Sequence, residues 1–287
     1  MIPKNSLFPT LYSLLSTLPI LADYATPIQL STLQDDAIDE SSGLACSYTF
    51  PTRFWTHNDS GGKPRIYLIG QDGKTNAHYD LETENRDWED ICSYRLDGQS
   101  FIAIADTGDN NRIHPHVSIH ITKEPTIEHS PSSKLPIHRT LQITYPEGPA
   151  DCESLAIDTA SRKFYLATKV RGLTATVYEI PVDFPHDKVT AKAVAQIPGI
   201  LLTAMDISPD GSQAILLTYG DATLYTRHPG TTWAQAFKAE PAIVTMPPRA
   251  QGEAICFGPD GKSLYLTSET PNQPFWKLPW VQFSPQE

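Results

Sequence analysis

Five places along this chain repeat one register, and that repeat constrains the fold more than any other feature. The segments Ser208-Pro-Asp-Gly and Gly258-Pro-Asp-Gly lie 50 residues apart, and each reads as a tight turn followed by an apolar strand, Ala214 to Thr218 and Leu264 to Thr267. Carried back, the same offset sets Thr203 opposite Glu253. If the residue 12 before each strand centre is position zero, Glu253 leads to Tyr265, Thr203 to Ile215, Glu153 to Tyr165, Glu89 to Phe101 and Ser42 to Phe54. The zero positions are 47, 64, 50 and 50 residues apart. A unit of four short strands needs about 40–50 residues, so each interval holds one. The longest interval leaves room for a loop around Glu124 to Leu135.

Only 34 residues follow Glu253, enough for three strands, and Pro27-Ile-Gln-Leu-Ser-Thr-Leu33 supplies a fourth from the other end of the chain. Such closure removes a free sheet edge. The sequence therefore predicts an all-β chain, a single β-propeller of five blades with the last blade closed by the N-terminal strand. Six blades are the alternative, if the long interval hides a degenerate blade. The 25 prolines and 16 glycines, scattered throughout, argue against long helices.

Residues 1–25 differ from the rest. Lys4 precedes a largely apolar stretch from Leu7 to Leu21, and Ala22 or Ala25 offers a small residue for cleavage. This reads as a secretory signal peptide, with residues 26–287 as the propeller domain, although a buried N-terminal segment is the competing reading. An exported protein, periplasmic or extracellular, with no membrane span after signal cleavage is the expectation. Cys46, Cys92, Cys152 and Cys256 form no C-x-x-C pair, so a zinc or redox site is disfavoured, and buried thiols and disulfides both stay open. A net charge of −11 argues against a nucleic-acid partner and suits cation binding.

In a propeller the first strand of each blade lines the axis, so Ser42, Glu89, Glu153, Thr203 and Glu253 are expected to converge at one mouth of the channel. Three carboxylates and two hydroxyls at close quarters form a hard oxygen set, and a single Ca²⁺ would relieve their repulsion. Glutamates at equivalent positions could instead pair with lysines or backbone amides as mere repeat consensus. The second strand returns to the same mouth, which puts Asn58, Asp59, Asp106, Lys169, Tyr219 and Glu269 on its rim, with Lys63, Arg65 and Asp109 just beyond. A small anionic or polyhydroxylated ligand would suit such a mouth.

These residues resemble the calcium-activated apyrases, five-bladed propellers that hydrolyse nucleoside di- and triphosphates around a Ser, Glu, Glu, Ser, Glu calcium ring. The matching segments are Ser42-Gly-Leu, Thr56-His-Asn-Asp-Ser-Gly-Gly62, Asp87-Trp-Glu-Asp90, Glu153-Ser-Leu-Ala with Phe164-Tyr-Leu-Ala-Thr-Lys169, and Gly252-Glu-Ala-Ile255. The resemblance implies calcium at the ring. It departs at the mouth, where only Lys169 falls on one of the family's basic positions and Ala105-Asp-Thr-Gly-Asp-Asn110 is acidic where the family has Gly-Lys. Gluconolactonase-like and phytase-like propellers use similar rings. The functional expectation is thus a calcium-binding propeller, with hydrolysis of phosphoanhydrides or phosphoesters as one reading, in which Lys169 stabilises charge and Asp59 or Asp106 is the general base, while the shortage of bases at the mouth favours a non-catalytic role. The alternatives are a non-catalytic ligand- or protein-binding propeller and a lactonase-type hydrolase. Asp59-Ser-Gly and Asp106-Thr-Gly lie one blade apart and do not suit an aspartic protease, and no Gly-x-Ser-x-Gly elbow is present.

Overall fold

The turn at Ser208-Pro-Asp-Gly211 reverses the chain because Gly211 takes φ +68, a conformation that costs glycine little, and the Asp210 carboxylate accepts the Ser212 N–H at 2.9 Å. Gly261 repeats the conformation at φ +68 one blade later. The structure, a computed structural model, describes residues 24–126 and 134–281. The apolar stretch expected to be a signal peptide lies outside the described residues, apart from Tyr24 and Ala25. These two already pair with the last blade, through Trp280 and the Pro279 carbonyl.

Strand β1 (Ile28–Thr32) comes first and is held back for the closure. Blade 1 consists of β2 (Ser41–Cys46), β3 (Arg53–Asn58), β4 (Arg65–Gly70) and β5 (Thr75–Asp80). Blade 2 consists of β6 (Trp88–Leu96), β7 (Gln99–Asp106), β8 (Val117–Lys123) and β9 (Arg139–Thr144). Blade 3 starts with β10 (Cys152–Asp158), β11 (Lys163–Thr168) and β12 (Thr174–Pro181); the chain then lends β13 (Lys188–Thr190) to blade 2, parallel to β9, before β14 (Lys192–Pro198) completes the blade. Blade 4 is β15 (Leu202–Ile207), β16 (Gln213–Thr218), β17 (Ala222–Thr226) and β18 (Ala242–Val244), with one helical turn, α1 (Trp233–Ala236), between its last two strands. Blade 5 is β19 (Ala254–Phe257), β20 (Leu264–Thr267) and β21 (Pro274–Leu278), and β1 pairs antiparallel with β21 to close the ring.

Five blades, and not six, account for the described chain. The long interval holds a loop between β8 and β9, anchored at both ends. Glu124 is buried and accepts from Ser47 Oγ at 2.6 Å and Trp55 Nε1 at 2.8 Å, while Leu135 exchanges backbone hydrogen bonds with blade 1 at Asp80 and Glu82. The residues 12 after each zero position all fall in second strands, but the pairing differs between blades: Tyr165, Ile215 and Tyr265 oppose the residue three after zero, Phe54 opposes Cys46, four after, and Phe101 opposes Tyr94, five after, because the first hairpin of blade 2 is longer.

The core follows the same fivefold plan. One apolar cluster fills each gap between neighbouring blades. Trp55 and Trp88 sit between blades 1 and 2, and Phe54, Tyr265 and Phe275 join blade 5 to blade 1. Those three rings pack in tilted and edge-on pairs with centroids 4.5–5.9 Å apart, so the seam between the last blade and the first is held by aromatic packing, while β1 itself is held by its ladder to β21. All four cysteines are free thiols, and Cys92, Cys152 and Cys256 are buried in the core, where they act as small apolar side chains.

Candidate metal centre at the channel mouth

Four of the five inner strands carry a β-bulge at the zero position. The ladder skips Ser42 and Gly43 against His57, Glu89 between Trp88 and Asp90, Glu153 between Cys152 and Ser154, and Thr203 between Leu202 and Ala204. A bulge breaks the alternation of strand side chains and re-aims the extra residue, here towards one mouth of the axis. Glu253 reaches the same level by standing one residue ahead of β19. All five zero residues are buried, with Glu89 4 %, Glu153 2 % and Glu253 2 % exposed.

The two hydroxyls staple blades together. Ser42 Oγ donates to the Glu89 carbonyl at 2.8 Å, and Thr203 Oγ1 donates to the Gly252 carbonyl at 2.8 Å. Thr107 Oγ1 makes the same kind of bond to the Cys152 carbonyl at 2.6 Å. Each hydroxyl spends its proton on the neighbouring blade and keeps its oxygen lone pairs.

The three glutamates divide unequally. Lys169 Nζ pairs directly with Glu153 Oε2, lies 3.9 Å from Glu253 Oε1 and stands over the Tyr219 ring at 4.9 Å. Burial opposes the charge on Lys169, but Glu153 and then Glu253 outweigh it and hold the amine protonated above its ordinary range. Glu253 also receives Gln251 Nε2 at 3.0 Å, and the same amide donates to Glu269 at 2.6 Å. Glu89 is different. No donor or cation among the described residues lies within bonding distance of its carboxylate, although it is almost wholly buried. Its neighbours are acids: oxygens of Asp59, Asp87 and Glu89 lie within 4.8 Å of one another, and so do those of Glu89, Asp151 and Glu153. Burial first, and then Glu153, Asp59, Asp87 and Asp151, push Glu89 well above the usual carboxylate range. Burial and then Asp87 raise Asp59 to about 6; burial, then Glu253 and Asp59, raise Glu269 to about 7.

Gly108 makes this crowding possible. A Cβ there would overlap Glu89 Oε1 and Asp87 Oδ2. Glycine leaves room for the two carboxylates here, and a larger residue would have to push these flexible side chains aside.

Some expected site residues lie elsewhere. Asp106 is in phase with Ile102 and Ile104 along β7, so the two-residue period turns it away from the acids. It accepts the Asp87 N–H at 2.9 Å and lies 3.4 Å from His120 Nε2 and 3.8 Å from Arg86 Nε. Asp109 accepts the Ile113 and His114 N–H groups, both at 2.9 Å, and gives its own N–H to Asp151 Oδ1 at 2.9 Å. Asn58 bonds the Ala37 carbonyl and Asp39; Arg65 pairs with Asp80 inside blade 1 at 2.5 Å; Lys63 is solvent-exposed. The structure thus brings together Glu89, Glu153, Glu253, Asp59, Lys169, Tyr219 and Glu269, and adds Asp87, Asp151 and Gln251. The added three share one signal, since each stands two residues before a zero position, and the residue there turns back under the second strand. Lys169 N–H bonds the Asp151 carbonyl at 2.9 Å and Glu269 N–H bonds the Gln251 carbonyl at 3.0 Å.

No protein-family model matches the chain, and no curated protein does. Solved structures that resemble it include a chain of a nidogen/laminin complex, at 14 % identity with a TM-score of 0.46, where 80 % of this chain covers 73 % of that one. A second is the Pan2 WD40 domain of Neurospora crassa, at 12 % identity with a TM-score of 0.48, where 94 % of this chain covers all of that one. No helix among the described residues is long and apolar enough to cross a membrane.

Proposed function

We propose that this chain is an exported calcium-binding propeller whose axial mouth holds the cation on Glu89, with Asp59, Asp87, Asp151 and Glu153 around it. One observation carries the reading: a buried carboxylate without a donor, set among four other carboxylates. Unpaired acids at this spacing either keep protons or take a cation. The donor set is all oxygen, which fits calcium and offers zinc no nitrogen or sulfur. The bulges and Gly108 support the reading because they spend local backbone regularity on bringing acids together.

The ring read from the sequence shifts accordingly. Lys169 occupies the side of Glu153 and Glu253, so the cation belongs on the side of blades 1, 2 and 3. With its amine so engaged, Lys169 is a counter-charge to the acids more than a free anion holder. That favours a propeller that binds its ligand through the cation over a hydrolase with a basic phosphate cradle. Isothermal titration with calcium, followed by melting in chelator, tests the proposal: saturable binding and a lower melting temperature without calcium support it, and absence of both contradicts it.

A second reading rests on Asp59. Its carboxylate stands at the mouth with an oxygen within 4.8 Å of those of Asp87 and Glu89, in a place to take a proton from a water beside the cation. On that reading calcium would polarise a phosphoryl or lactone carbonyl oxygen, as in the calcium-activated apyrase, phytase-like and gluconolactonase-like propellers. Calcium-dependent turnover of nucleotides, phosphoesters or lactones that Asp59→Asn abolishes would establish it; silence across that panel would leave the binding propeller.

A further inference from the structure

The inner strands all run in one direction, so their C-terminal ends meet at the mouth opposite the acids, about 13 Å further along for four residues of strand. There the ends of β2, β15 and β19 surround a cavity of about 290 Å³. Its walls include Ala45, Cys46, Ile207, Phe257 and Pro259, and Asp206 is the one charged side chain that lines it. Asp206 Oδ1 accepts the Ile207 N–H at 2.8 Å and Oδ2 accepts the Phe257 N–H at 2.8 Å, which ties β15 to β19 and leaves a lone pair on each oxygen. No cationic side chain pairs with it among the described residues. At the same end the buried Asp158 is matched by Arg227 at 3.2 Å. The backbone bonds explain why Asp206 is there; they do not explain why its open side faces an apolar cavity with no counter-ion. Cys46 does not compete for the role, because burial and then Asp206 push its thiol up to about 12 and keep it a neutral wall.

We propose that this distal cavity binds a small primary amine with a short apolar body, the ammonium on Asp206 and the body against Ile207, Phe257 and Pro259. A concave apolar site with one placed polar group is the usual form of a small-molecule pocket. A partly buried carboxylate that lines an apolar cavity selects a cation, since a neutral group in the same place makes a weaker bond and an anion is repelled. The site is independent of the calcium mouth, and neither needs the other.

Hexylamine, 1-hexanol and hexanoate serve as matched probes on the full chain, followed by saturation-transfer NMR and isothermal titration with and without calcium. The expected result is saturable hexylammonium binding at least about tenfold tighter than hexanol, a gap that one charge-assisted hydrogen bond supplies, and no hexanoate binding. Cys46→Phe, which fills the cavity, should remove it, and Asp206→Asn should reduce it to the hexanol level. Pro259→Trp, from an exposed turn at the rim, gives a second block if Cys46→Phe does not fold. Glu89→Gln, at the other mouth, should leave the binding unchanged. The proposal is overturned if hexylammonium does not saturate, if it binds no better than hexanol, if both cavity variants leave it intact, or if Glu89→Gln removes it.

Discussion

Lys169 Nζ is in ion-pair contact with Glu153 Oε2 and 3.9 Å from Glu253 Oε1, so one amine serves two of the three axial glutamates and, among the described residues, Glu89 has no counter-charge. Removing that amine leaves two buried carboxylates facing each other. Breaking one partner of a buried pair costs about 3 kcal/mol or more. Lys169→Met should therefore melt well below the wild type in chelator, and calcium should restore most of the loss and bind more tightly than before. Equal melting temperatures in chelator would show that Lys169 is not the counter-charge described.

Gly108→Ala tests the crowding around Glu89. The added methyl meets Glu89 Oε1 and Asp87 Oδ2, two flexible carboxylates that can swing aside only by leaving the cluster. Calcium affinity should fall about tenfold or more, with a small change in melting temperature in chelator. Isothermal titration gives the first quantity and calorimetry the second; unchanged affinity would place the cation away from these two acids.

The pH dependence has a definite sign. Asp59 near 6, Glu269 near 7 and Glu89 well above the usual range all hold protons longer in the folded chain than in the unfolded one. Their contribution is greatest while both states are protonated and declines as pH rises from the ordinary carboxylate range through the folded values. The metal-free protein should accordingly melt lower at about pH 8 than at about pH 5. Calcium needs the deprotonated acids, so it should shrink or reverse that difference. A melting temperature in chelator that rises from pH 5 to pH 8 would contradict the assignment.

Asp90 carries a structural prediction at the heart of the ring. Its carboxylate accepts the N–H groups of Leu155 at 2.7 Å, Met205 at 3.1 Å and its neighbour Ile91 at 2.8 Å, so it ties the inner strands of blades 2, 3 and 4. Asp90→Asn turns one acceptor into a donor against those amides. A loss of about 2 kcal/mol is expected, from the buried N–H left unpaired. Denaturant unfolding measures it, and a change below about 0.5 kcal/mol would remove Asp90 from that role.

Much of this architecture was legible because it repeats. The 12-residue step from Glu253 to Tyr265, found five times, located every inner and second strand, and Pro27 to Leu33 was the one strand left over for the closure. Glu89, Glu153 and Glu253 converge because position in a repeat maps onto position around an axis. What the repeat did not carry was side-chain direction. Ser42 and Thr203 turn their hydroxyl protons to neighbouring carbonyls, which depends on how closely adjacent blades pack. Asp106 and Lys169 occupy adjacent register positions, and one step along a strand reverses the face. Asp87 and Asp151 lay two residues before their glutamates, and that Asp-x-Glu spacing was present in blades 2 and 3. Lys169 bridging Glu153 and Glu253 is a contact between blades, which no single repeat contains.

Calcium titration of the wild type beside Glu89→Gln reaches the central claim most directly. The amide removes one charge at the buried carboxylate while keeping its shape, so the fold is retained. Saturable calcium binding by the wild type, weakened about a hundredfold in Glu89→Gln, is the expected result. Equal binding by the two proteins, or none by the wild type, would contradict the account.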